Sequence, residues 1–306
     1  MRKLQVIVFT VFIVFGGCEE SDRVFDQTPW QQLAFQDTIV FSVLNSGDKL
    51  YVGTSFGVHV STDHGHSWSI SNTGLTNTSV ESLASDCTGV LFASTGGGVF
   101  RSTNSGASWV TSYASGQSAG LSYLAVSPSS VIFFSRQRAD SALLRSTDNG
   151  QSWTPLIWLS DGLRRISFVG DSGVFIANSQ GQSYKSTNLG LTWTRIAPIT
   201  EAFVSFDGTL YATSRWNGLE QSIDHGDTWF PTDCTIDSLG YLVARVGTSL
   251  LVTNYDGNVV LSTKQGWIDF STGLWQPIWI TDVIMDSNDF LYAATGAGLF
   301  YKKFKQ

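Results

Sequence analysis

Charged side chains are scarce, at 14% of 306 residues, and proline (6), histidine (4), cysteine (3) and methionine (2) are scarcer still. With 42% of the chain hydrophobic, so low a charge content excludes a disordered polyelectrolyte and a charge-laced coiled coil. Three cysteines are too few for a disulfide-stapled miniature scaffold, so stability must come from a core that a chain of this length can bury. In separate parts of the chain, Cys87 and Cys234 are expected not to pair. Four histidines without metal-ligand spacing exclude a zinc site, and neither metal nor cofactor is expected. Basic residues are also in deficit, 18 against 25 acidic, for a net charge of -7 and a pI near 5.0. Such a chain has no field with which to displace the counterions of a phosphate backbone, so nucleic acid is excluded as a partner. What the chain does have is glycine (30) and aromatic residues (13%, with 11 Trp), the balance of a β-protein rich in turns.

The N-terminus reads Arg2-Lys3, then an apolar run from Leu4 to Phe15, then Gly16-Gly17 before Cys18. A basic start followed by a run too short to span a bilayer is a secretory signal. Two small residues before a cysteine resemble the lipobox of bacterial lipoproteins, although Phe15 stands where that family usually has Leu. The resemblance implies a signal peptide over 1–17, lipidation of Cys18, an acidic tether over 18–28 and a domain over 29–306. It places the protein in the cell envelope of a Gram-negative bacterium, anchored to the outer membrane by the lipid alone. Without Arg2 and Lys3, 16 basic groups face 25 acidic ones, a net charge near -9. Glu19-Glu20-Ser21-Asp22 resembles tethers that route some lipoproteins to the outer surface, and any solvated linker has the same composition.

Self-similarity decides the fold. One segment recurs six times: 61–68 (STDHGHSW), 102–109 (STNSGASW), 146–153 (STDNGQSW), 186–193 (STNLGLTW), 222–229 (SIDHGDTW) and the eroded 262–267 (STKQGW). The leading serines are 41, 44, 40, 36 and 40 residues apart. Each copy follows two short apolar or alternating runs joined at glycine, as in 50–60, which predicts a hairpin. Similar pairs at 91–100, 131–144, 174–184, 210–219, 251–261 and 291–301 bring the hairpins to seven. The last lacks a copy after it, but Trp30, in Thr28-Pro29-Trp30-Gln31-Gln32-Leu33-Ala34-Phe35, stands 38 residues before Trp68. Residues 30–35 therefore match the strand that follows each copy, and are expected to supply the outer strand of the last blade. The first blade's inner strand is expected over 37–42.

These segments resemble the Asp-box, or BNR, repeat of the sialidase-like superfamily, and the resemblance covers nearly the whole chain after Cys18. It implies an all-β fold: a seven-bladed β-propeller of four-stranded antiparallel blades, its ring closed by the N-terminal strand. The repeat makes a turn. Asp or Asn accepts backbone N–H groups, Gly takes a positive φ, and Trp inserts between sheets. In that family the turns lie away from the active site. The resemblance therefore implies a structural role for Asp63 and Trp68, Asn104 and Trp109, Asp148 and Trp153, Asn188 and Trp193, and Asp224 and Trp229.

A candidate binding face is the opposite one, where the second-to-third strand loops and the blade connections emerge. There the sequence places Arg136 and Arg138 in the blade 3 loop, Arg164 and Arg165 at the start of blade 4, and Arg215 and Trp216 in the blade 5 loop. Trp275 and Trp279 lie in the connection to blade 7. Arginine beside exposed tryptophan suits a carboxylate-bearing ligand, either an acidic glycan or a protein segment. Equally, these arginines could pair with Asp140, Asp161 or Glu201, and the tryptophans pack beneath loops. No catalytic residue is assigned. A sialidase needs an early Arg-Ile-Pro motif and an arginine triad, and the nearest match, Arg165-Ile166-Ser167, lies in the wrong blade without proline. The expected function is that of a non-catalytic, monomeric binding or assembly module for a protein or a glycan. The alternative is a sialidase-like or other glycoside hydrolase acting on extracellular glycans.

Overall fold

The computed structural model describes residues 28–304 except 117–120, 137–140, 160–161, 179–180, 197–201, 207, 215–217, 235–239, 255–256 and 275–278. Cys18 and the segments assigned to signal and tether lie outside the described residues. The chain builds seven four-stranded antiparallel sheets, each consecutive in sequence from the innermost strand outwards. Blades 1 to 6 run Val40–Ile70, Val80–Ala114, Ser122–Leu159, Leu163–Ile196, Ala202–Pro231 and Gly240–Asp269. Blade 7 takes three strands from Ile280–Lys303 and its outermost from Gln31–Ala34. Neighbouring innermost strands touch all the way round, blade 7 against blade 1 included, so the sheets form a closed ring.

Closure occurs where the 38-residue spacing places it. Gln31 stands opposite Tyr301, Gln32 opposite Phe300 and Ala34 opposite Leu299. The first blade's inner strand begins later than expected, at Val40. Phe35 and Asp37 adopt left-handed φ of 60° and 58°, and the Thr38 N–H bonds back to the Phe35 carbonyl, which turns the chain out of blade 7 before the strand can start.

Burial follows from packing sheet on sheet around a ring. The second strand of a blade is covered on both faces, so Leu91–Thr95 is buried throughout and needs no polar alternation. The apolar side chains gather into seven clusters, one at each seam between consecutive blades. Tyr51, Leu91, Phe100 and Trp109, for example, join blades 1 and 2.

The repeated turns behave as their chemistry dictates. Ser61 Oγ donates to Asp63 Oδ1 at 2.7 Å and accepts the Gly65 N–H at 2.7 Å. Asp63 then accepts the Ser67 N–H at 2.8 Å and the Ser67 hydroxyl at 2.5 Å. Where Asn replaces Asp the frame survives with one bond reversed: Asn104 Nδ2 donates to Ser108 Oγ, and Asn188 Nδ2 to Thr192 Oγ1. The glycine takes positive φ, as at Gly106 (83°), but the residue before it is left-handed too, including Ser105 (54°) and Leu189 (53°), which the sequence reading did not anticipate. The tryptophans reach the seams. Trp109 donates its indole N–H to the Ser71 carbonyl at 2.8 Å and its backbone N–H to Thr73 at 2.8 Å. Trp153 donates to Ser112 Oγ, whereas Trp68 and Trp229 donate to glycine carbonyls of their own turns, and the Trp193 indole N–H meets no partner among the described residues.

Strand alternation puts these turns, with those joining first to second strands, on one face, called lower here. The second-to-third strand turns and the blade connections form the upper face. Blade 7 lacks the repeated turn, and Lys302 stands opposite Leu291 as Ser102 stands opposite Leu91. That lysine is buried, its ammonium 3.8 Å above the Phe270 ring, a cation–π contact.

Candidate functional site

An innermost strand leaves one edge unpaired towards the axis, and the way that edge is capped determines what chemistry the centre of the ring can carry. Five of the seven innermost strands carry an irregularity near their upper ends, at 40/42, 80/82, 163/165, 240/242 and 280/282. A bulge of this kind adds one residue and re-aims its neighbours. Ser42, Ser82, Arg165 and Asp282 thereby share one level in their blades. Asp282 Oδ2 accepts the Ser42 hydroxyl and the Val43 N–H of blade 1, both at 3.2 Å, and Oδ1 accepts its neighbour's N–H, from Val283, at 3.0 Å. Ser42 in turn accepts the Leu83 N–H of blade 2, and the Ser82 hydroxyl donates to the Leu124 carbonyl of blade 3. Thr281 adds a bond from its hydroxyl to the Val40 carbonyl at 2.7 Å.

A second acid lies two blades round the ring, in blade 2. Glu81, the extra residue of the blade 2 bulge, accepts the Ser122 hydroxyl at 2.6 Å, and Ser122 also meets Ser94 at 2.9 Å. Burial raises the pKa of both acids above the ordinary carboxylate value. At Glu81 the hydrogen bonds from Ser122 and the charge of Arg136 oppose the rise; at Asp282, Arg165 and the bonds from Val43, Ser42 and Val283 do so. The sequence singles out neither carboxylate, because a bulge that lifts a residue out of strand alternation leaves no periodic trace.

The candidate arginines divide. Arg136 is 8% exposed, at the end of the second strand where other blades place a turn-capping residue such as Thr54 or Thr95. Its guanidinium donates to the Gly96 carbonyl at 3.1 Å and to Ser115 Oγ at 3.2 Å, so it clamps blade 2 to blade 3 instead of facing solvent. Arg165 is half-buried on the innermost strand of blade 4. Arg138, Arg215, Trp216, Trp275 and the side chain of Arg164 lie outside the described residues.

Trp279 is 64% exposed at the upper end of blade 7 and lies against Gly296, whose N–H bonds to the Trp279 carbonyl at 3.0 Å. Phe56 (66%) in the upper turn of blade 1 and Ile39 (42%) just before its innermost strand are exposed on the same side of the ring. The Thr281–Val40 bond sets the segments bearing Trp279 and Ile39 side by side across the closure seam. The sequence pointed to Trp279; Phe56 and Ile39 looked like ordinary strand and turn residues until their neighbours were in place. Among the described residues, no three His, Cys, Asp or Glu side chains are grouped so as to hold a metal ion.

No family model matches the chain, and no curated protein matches it in sequence. Its architecture is shared with solved structures. A streptogramin B lyase superposes with a TM-score of 0.72 at 11% identity, over 90% of this chain and 97% of the lyase. YCF48 bound to a D1 peptide superposes with a TM-score of 0.71 at 14% identity, over 94% of this chain and all of that one. The GH74 enzyme of Niastella koreensis gives 0.68 at 17% identity over 90% of this chain, which spans 54% of the enzyme. At these identities the likeness establishes the fold alone: this chain is a seven-bladed β-propeller, an architecture its structural neighbours use both for catalysis and for binding a peptide.

Proposed function

We propose that this protein is a non-catalytic propeller of the Asp-box type, anchored by a lipid on Cys18, that binds a protein client through its upper face. The observation that carries the reading is that Trp279, Phe56 and Ile39, on the adjacent blades 7 and 1, are all exposed on the upper face. Large apolar side chains gathered on one rim of a polar surface mark a contact site, and tryptophan is the commonest anchor of such sites. The structural neighbour solved with a D1 peptide supports a protein client by analogy of fold. The anchor rests on Gly16-Gly17-Cys18 behind a basic, apolar leader, and places the protein in the envelope of a Gram-negative bacterium, at its outer membrane.

The test is capture from outer-membrane extract by the processed chain, beside a Trp279→Ala, Phe56→Ser variant and a lower-face control, Asp148→Asn. A defined protein lost by the rim variant and kept by the control is the expected result; equal capture by all three would sink the reading. Membrane association of a Cys18→Ala variant would overturn the anchor separately.

A second reading, glycoside hydrolysis, is favoured by the raised pKa values of Glu81 and Asp282, since a general acid needs such a shift. It predicts turnover of an extracellular glycan that Glu81→Gln or Asp282→Asn abolishes.

A further inference from the structure

Trp279, Ile39 and Phe56 stand on backbone that is joined across the closure seam. Two residues after Trp279, the Thr281 hydroxyl holds the Val40 carbonyl at 2.7 Å; Val40 stands opposite Thr54, whose hydroxyl accepts the Phe56 N–H at 3.0 Å. The charge around them is of one sign. In the stretches that carry the chain through this part of the upper face, 270–282, 34–42 and 71–82, and in the turns 54–57 and 295–298, there is no lysine or arginine. The charged residues there are Asp37, Glu81 and Asp282. Asp37 is exposed two residues before Ile39, and Asp282 accepts its bonds from Ser42 and Val43 three residues after Trp279. Glu81 leans away, on Ser122 of blade 3. The ion pairs among the described residues, His64–Asp286 and Lys185–Asp227, lie at lower turns and involve neither Asp37 nor Asp282. The described lysines, Lys49, Lys185, Lys264, Lys302 and Lys303, likewise stand in or beside lower turns.

We propose that the client docks here through a basic amphipathic segment, its apolar side chains on Trp279, Phe56 and Ile39 and its lysine or arginine side chains towards Asp37 and Asp282. The proposal rests on the reading of the upper rim as the contact site and gives the client its chemistry. In a chain with only 14% charged residues, acids with no cation among them set a local negative potential that no neighbouring charge cancels. A segment of opposite sign is drawn to that potential, and an acidic one meets like charge. Apolar contact then supplies the affinity, while charge selects the partner and speeds the encounter. Asp37 suits the role because it sits in the left-handed turn between the outer strand of blade 7 and the inner strand of blade 1, with φ of 58°, and is exposed there.

Fluorescence anisotropy on the whole processed chain tests it, with three short synthetic peptides that share one pattern of leucine and phenylalanine and carry lysine, glutamate or serine at the other positions. The lysine peptide should bind saturably, about tenfold or more tighter than the glutamate peptide, and should weaken as salt rises from about 50 to 300 mM. Trp279→Ala should weaken it severalfold, and Asp37→Asn should weaken it about threefold while leaving the serine peptide unchanged. Asparagine tolerates a left-handed φ, so Asp37→Asn should melt as the parent does and keeps the charge test valid even if Asp282→Asn, expected to act in the same direction, loosens the seam. A glutamate peptide bound as tightly as the lysine one, or a lysine peptide indifferent to both Asp37→Asn and Asp282→Asn, would overturn the proposal and leave the rim reading standing. Lysine-peptide binding that survives Trp279→Ala combined with Phe56→Ser would overturn both. No saturable binding of the lysine peptide would overturn the proposal alone, since the capture experiment judges the rim independently.

Discussion

Replacing Trp30 with alanine attacks the single place where the ring is held by residues from both ends of the described chain. Trp30 is 3% exposed. Its indole N–H donates to the Phe270 carbonyl at 2.9 Å, its backbone N–H to Thr272 at 2.8 Å, and its ring meets Phe270 edge-on at 6.0 Å. Gly273 passes so close that a Cβ there would lie 2.3 Å from the Trp30 carbonyl oxygen, so the chain cannot readily collapse into the vacated space. Truncating a buried tryptophan typically costs about 3–5 kcal/mol. For a domain of this size each kcal/mol lowers the melting midpoint by roughly 2–4 °C, so the expected fall is on the order of 10 °C. Trp109→Ala is the reference, because Trp109 makes the same pair of bonds, to Ser71 and Thr73, at a seam within the continuous chain. Differential scanning calorimetry of both variants should give falls of similar size, and limited proteolysis should release the segment before Val40 first in Trp30→Ala. A Trp30→Ala midpoint within about 2 °C of the parent would refute the view that this residue secures the closure.

The turn aspartates set an acid limb. Hydrogen bonds from Ser67, Ser152 and Thr228 hold Asp63, Asp148 and Asp224 well below the ordinary carboxylate value, Asp148 at about 2. Their contribution is therefore present above the unfolded carboxylate pKa and lost as pH falls towards the folded values. The triple variant Asp63→Asn, Asp148→Asn, Asp224→Asn should show a flatter loss of urea midpoint between pH 4 and 2, and an unchanged slope would contradict this. Glu81 has the opposite sign: its raised pKa favours the fold in acid, an advantage lost as pH rises through the folded value. Glu81→Gln should accordingly lose less stability than the parent as pH rises above the ordinary glutamate value, measured the same way. Arg136→Ala should cost about 2–3 kcal/mol, because it removes a buried charged donor and strands the Gly96 carbonyl. Asp227→Ala, which breaks the exposed end of the Lys185–Asp227 pair, should cost less than about 1 kcal/mol by chemical denaturation.

By itself the sequence determined the architecture, because its signals are local and repeated. An eight-residue turn carries its own hydrogen-bond frame, so Ser61, Asp63, Gly65 and Trp68 announce it without reference to the rest of the chain. A near-constant period then counts the blades, and Trp30, one period before Trp68, identifies the closing strand. Tertiary structure decided which of the candidate residues face solvent. Arg136 and Arg165 look alike in sequence, yet Arg136 is held by Ser115 and Gly96 of blade 2, some 20 and 40 residues away, whereas Arg165 stands half-buried on the innermost strand of blade 4. Phe56 and Ile39 became part of a surface only because ring closure brings blade 7, more than 200 residues later, beside blade 1. Exposure and pairing at a seam depend on the neighbouring sheet, and no pattern within a single blade encodes what that neighbour presents.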